Sequence, residues 1–114
     1  MKMHELKTQQ PFFGQLGPEK KNLEVRYNDR GIERGDVLVL SEWGGAGTEW
    51  TGKAYLAKVA YRLPLISVPN LIIPNAPGNV TDSRFWEVFG LKFLEDAKIL
   101  KRIDAHKIAH KLVS

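Results

Sequence analysis

The sequence contains no cysteine, which excludes a disulfide framework and any zinc or iron–sulfur site built on thiolates. It has no run approaching the ~20 apolar residues of a membrane-spanning helix. The opening stretch MKMHELKTQQ carries no apolar signal core, and there is no internal repeat or low-complexity tract. These absences set the expectation of a soluble, cytoplasmic protein with no cofactor and no membrane partner.

What is present fits one folded domain. The chain has 114 residues, 43% of them hydrophobic and 26% charged, which suffices to bury a core without covalent staples. The formal net charge of +4 and a pI near 9.4 ease the approach of an anionic partner through long-range steering.

Along the chain, Thr8 to Leu16 offers Phe12, Phe13 and Leu16 for one or two helical turns, with Pro11 in the first turn. GPEKK reads as a turn. From Asn22 to Tyr27 the residues alternate: Leu23, Val25 and Tyr27 face one way, and Asn22, Glu24, Arg26 and Asn28 the other. After the polar connection NDRGIERGD, the nearly continuous apolar run DVLVLSE predicts a strand buried on both faces. WGGAGTEW reads as a glycine loop. Between Gly52 and Leu63 the alternation returns, with Tyr55, Ala57, Val59, Tyr61 and Leu63 opposite Lys58 and Arg62. Three successive strands suggest a meander in a small barrel or curled sheet.

Pro64, Pro69, Pro74 and Pro77 then forbid a regular central strand. TDSRFWEVFG reads as a helix with Thr81, Asp82 and Ser83 as N-cap candidates and Gly90 as its stop. A last helix is expected from about Phe93 to Leu112. Its apolar positions form no single stripe, because Ala97, Ala105, Ile108 and Leu112 drift away from Ile99 and Ile103. The division that follows is a barrel over residues 1–91 and a basic helical extension over 92–114.

The pair Glu24 and Arg26 concentrates the chemistry. On alternation alone it reads as an outward ion pair worth ~0–1 kcal/mol. As a site, Arg26 presents a planar fork suited to a phosphate or a base edge, and Glu24 accepts hydrogen bonds from an amine or hydroxyl. Trp43 and Trp50 flank the glycine loop, either as lids on the barrel end or as stacking faces for a base. Asn28, Asp29 and Gly31 are turn chemistry first, whereas Arg30 is a residue a turn does not need. His106 and His110, four apart, share a helical face as zinc ligands do, but HKIAH lacks the glutamate of a zinc protease motif and has no evident third ligand apart from a distant His4; they read as surface histidines.

KKNLEVRYNDRGIERGDVLVLSE resembles the signature of ASCH domains in the PUA-like superfamily. HELK, NDRGIERGDVLVLSE and WTGK are together similar to a subgroup of short bacterial and phage proteins built on that module. The likeness runs from about Met3 to Leu63. It departs where Glu19 replaces the glycine expected before the lysine. The resemblance implies an α+β fold, a small PUA-like (ASCH) β-barrel with flanking helices, here followed by the C-terminal helical extension. It also implies a cleft for RNA or a nucleotide, with Lys21, Glu24 and Arg26 on the motif, Asn28, Asp29 and Arg30 on the subgroup's extension, and Lys7 near the same strand end.

The leading expectation is therefore a non-enzymatic RNA- or nucleotide-binding module. One alternative is an amidohydrolase acting on an acyl-modified cytidine, which similar small ASCH-like enzymes process with a lysine, a threonine nucleophile and a glutamate. Lys21 falls on the lysine position, but the threonine position is Glu24, and a carboxylate cannot replace a hydroxyl nucleophile. A further alternative is a phage-type interaction module directed at a host protein. Lys98, Lys101, Arg102, Lys107 and Lys111 make the C-terminal helix basic. It would extend a nucleic-acid footprint, dock a protein partner through Ile99 and Ile103, or be a solvated helix packed by one weak stripe.

Overall fold

A computed structural model describes residues 1–44, 49–64 and 86–114. Residues 45–48 of the glycine loop, the proline-rich stretch after Pro64 and the N-cap candidates Thr81–Ser83 lie outside the described residues.

Six strands form one curled sheet: β1 (Met3–Gln9), β2 (Leu23–Tyr27), β3 (Val37–Trp43), β4 (Trp50–Pro64), β5 (Trp86–Phe93) and the short β6 (Leu100–Lys101). The path is β1-β3-β4-β5-β2, with β6 added to β4. One turn of helix, α1 (Phe12–Gln15), follows β1, and α2 (Arg102–Val113) ends the chain. The sheet curls as a half-barrel, so the coarse expectation of a small barrel-like α+β fold holds.

β3 is buried on both faces, as its apolar run predicts. Leu38 and Leu40 enter the concave core with Leu6, Phe13, Leu16, Ile32, Tyr55, Val59 and Phe89. Val37 and Val39 enter a second layer with Ala54, Leu56, Ala105 and Ala109. In that layer α2 rests on the sheet through two fully buried alanines, whose small side chains let the helix approach closely. Ile108 and Val113 complete its stripe.

Several expectations are corrected. HELK, for which the sequence suggests no element, lies within a strand, β1, which runs parallel to β3 with Leu6 beside Leu40. The meander is β3-β4-β5; β2 instead pairs β5 at the far edge, Val25 opposite Val88. Trp86–Phe93 is a strand and not a helix, with Phe89 and Leu91 in the core. Gly90 is not a helix stop: a Cβ there would fall 2.0 Å from the Tyr61 ring, which crosses it. That crossing accompanies a register shift between Val59 and Tyr61. The shift ends the alternation read through β4, leaving Tyr61 and Leu63 exposed.

The final helix starts at Arg102 and not near Phe93, about two and a half turns later than the sequence suggests. Glu95, Asp96 and Ala97 all take positive φ, a left-handed turn that cannot continue as a right-handed helix. A boundary after residue 91 falls inside β5, and α2 beyond it covers the second core layer.

Gly35 and Asp36 explain the Gly-Asp at the head of β3. Gly35 has φ 91°, a conformation that disfavours a side chain. Asp36 accepts from the backbone N–H groups of Lys2 (2.9 Å) and Glu33 (3.0 Å) and contacts His4 Nε2 at 2.9 Å. Burial opposes the charge on Asp36, but these contacts outweigh it and hold the carboxyl below its ordinary range.

Candidate functional site

The polar face of β2 is the inner face. Glu24 stands opposite Phe89 and Arg26 opposite Glu87, and directly paired residues of antiparallel strands share a side. Since Phe89 is fully buried in the core, Glu24, Arg26 and Glu87 lie on the core side of the sheet. The alternation of β2 was legible; which side faced solvent was not.

Glu24 Oε1 accepts from Arg26 Nε at 3.0 Å. Arg26 Nη2 donates onward to the Lys7 carbonyl at 2.5 Å and lies 3.4 Å from Thr8 Oγ1. Arg30 Nη1 donates to the Glu5 carbonyl. β1 and β2 are the ends of the sheet path, so Arg26 and Arg30 join the two edges where no backbone ladder does. Two guanidiniums thereby satisfy alternate carbonyls of an otherwise open strand edge.

A second pair lies on the same inner face. Arg62 Nε is 3.4 Å from Glu87 Oε2, and Arg62 Nη1 donates to the Ile32 carbonyl at 2.9 Å. The carboxylates of Glu24 and Glu87 are each about nine-tenths buried. Glu24 Oε2 and Glu87 Oε2 are closed off from solvent, and among the described residues neither receives a hydrogen bond. The Arg62 contact supplies charge to Glu87 without hydrogen-bond geometry. Unmade bonds of this kind are costly in a protein interior.

The nine residues singled out in the sequence fall into separate places. Glu24 and Arg26 share the inner cluster, which Lys7 reaches only with its carbonyl; its ammonium sits 4.0 Å from the Trp43 ring centroid. Trp43 and Trp50 pack edge to face, 4.9 Å apart, at the end of the β3–β4 pair. Lys21 lies over Phe12, 5.5 Å from the ring centroid. Asn28 bonds both the N–H and the carbonyl of Ile32, at 2.9 and 3.1 Å, which is loop chemistry. Asp29 is exposed.

Sequence reasoning missed Glu5. On β1, its carboxylate receives Ser41 Oγ at 2.7 Å, Arg102 Nε at 2.7 Å and Nη2 at 2.8 Å, and meets His106 Nε2 at 2.7 Å. Burial works against ionisation there. The bonds from Arg102, Ser41 and His106 outweigh it and push Glu5 down from 4.5 to about 2. Arg102 and His106, four apart on α2, share a face, and the Arg102 guanidinium also lies 4.2 Å from the Trp50 ring centroid. His106 is thus a tether to β1, not a plain surface histidine. Among the described residues no three or more acidic or histidine side chains are placed to hold a metal ion. Beside this cluster is an open depression of about 370 Å³ lined by Trp50, Thr51, Gly52, Lys101, Arg102 and Ile103. The Arg102–His106 spacing was visible in the sequence. Its partner was not, because Glu5 lies about a hundred residues away.

The chain is 45% identical over 42 residues to an uncharacterised 12.9 kDa protein of Escherichia phage P2. That match covers 37% of this chain and 38% of the phage protein's length. Residues 3–69, more than half of the chain, match the family described as a domain of unknown function, DUF3850. This span holds β1 to β4 with Glu5, Glu24 and Arg26, and stops before Glu87 and Arg102. The chain belongs to the DUF3850 family.

Proposed function

We propose that this chain is a non-enzymatic binding module for RNA or a nucleotide, with Glu24 and Arg26 at the centre of its site. The observation that carries the reading is the unfilled oxygen of Glu24: a buried carboxylate, held by one guanidinium, with an acceptor left over. A ligand donor completes that bond, while the net positive charge of the chain draws an anionic backbone toward it. The reading takes the half-barrel as one of the ASCH type, for which the motif around Lys21, Glu24 and Arg26 supplies the argument. The amidohydrolase alternative gains nothing, since the Lys21 ammonium sits over Phe12 and a hydroxyl nucleophile is missing at Glu24.

The test is titration of short single-stranded RNA by fluorescence anisotropy across a salt series, with the wild type and Glu24→Gln. Binding should weaken steeply with salt, and the isosteric variant should lose about tenfold in affinity. Salt-insensitive binding, or an unaltered variant, defeats the reading.

A second reading, a protein partner docked on the C-terminal helix, is favoured by Ile99 and Ile103, which are 52% and 62% exposed. Ile103→Lys should abolish capture of such a partner while leaving RNA binding intact.

A further inference from the structure

We infer that the inner cluster selects a base bearing an exocyclic amino group over uracil, with Glu24 and Glu87 as paired acceptors; this rests on the nucleic-acid reading above. Glu24 and Glu87 sit on neighbouring strands as diagonal partners, because Glu24 faces Phe89 and Glu87 is two residues before it. Long side chains at such positions reach one another's surroundings. Each carboxylate has a cationic neighbour, Arg26 or Arg62, and each retains one buried oxygen without a hydrogen bond among the described residues.

The shortage is therefore of N–H or O–H groups and not of positive charge. A phosphate brings only acceptors and is repelled by both carboxylates. The amino group of cytosine, adenine or guanine brings two N–H donors on one nitrogen, and carboxylates are suitable acceptors for such groups. Uracil presents a single ring N–H, which fills one oxygen and leaves the other orphaned. Because both oxygens are closed off from solvent, entry requires a neighbour to move. Arg26 and Arg62 are the partly exposed members, with side chains 28% and 39% exposed. Glu87 lies beyond residues 3–69, so the second acceptor comes from a part of the chain that the family match does not cover.

The experiment compares oligocytidine, oligoadenosine and oligouridine of equal length with the wild-type protein at one salt concentration. The two amino-bearing oligomers should bind about tenfold or more tightly than oligouridine, the loss of one charge-assisted bond. Glu87→Gln should narrow that gap, since its amide offers an N–H to the uracil carbonyl; a thermal melt of the variant checks that it is folded. Equal affinity of the wild type for all three oligomers overturns the selectivity while leaving RNA binding standing. Binding to none of them overturns both, so the two failures are told apart without relying on a variant.

Discussion

Glu5 and Glu24 are carboxylates on two strands of one sheet, and their surroundings differ in the supply of donors. Glu5 meets a hydroxyl, a two-pronged guanidinium and an imidazole, and its charge is stabilised to about 2 on the pH scale. Among the described residues, Glu24 has one guanidinium nitrogen on one oxygen and no hydrogen bond on the other. The saturated carboxylate belongs to the architecture, fastening α2 to β1. The undersupplied one is where the proposed ligand would add a donor. Surroundings, not residue type, separate the two carboxylates.

The comparison breaks most readily at Arg26. Arg26→Met removes the guanidinium from a carboxylate that is about nine-tenths buried, and should cost about 3–5 kcal/mol in urea unfolding. Adding Glu24→Gln should restore part of that loss. A double variant no more stable than the single one would show that Arg26 acts mainly through the Lys7 carbonyl and not through Glu24.

Glu5→Gln should cost somewhat less, about 2–4 kcal/mol at neutral pH, because the groups it abandons can reach water: the side chains of Arg102 and His106 are 31% and 26% exposed. Its pH dependence sharpens the contrast. A carboxyl lowered from 4.5 to about 2 on folding stabilises the native state fully above about pH 5, and that stabilisation is lost as pH falls toward 2. The difference between wild type and Glu5→Gln should accordingly shrink across that window. A constant difference would mean that Glu5 acts through packing alone.

Arg30→Ala should be the mildest, less than about 1 kcal/mol by thermal melt, since the guanidinium is on the surface and water can replace it at the Glu5 carbonyl. A larger loss would make Arg30, and not Arg26, the principal clasp between the sheet edges.

The alternation of β2 and the doubly buried run of β3 were local patterns, set by side-chain period, and the residues themselves determined them. The sequence also placed Glu24 and Arg26 on one face of a strand. Tertiary structure decided that this face turns inward, because β2 pairs β5 and closes toward β1 instead of joining β3. It decided the strand at Trp86–Phe93, where Tyr61 crossing Gly90 outweighs the helical look of the segment. It also joined Glu5 to Arg102 and His106. Propensity and period reach only a few residues along the chain, whereas hydrogen-bond satisfaction is settled by groups that meet after distant segments have packed.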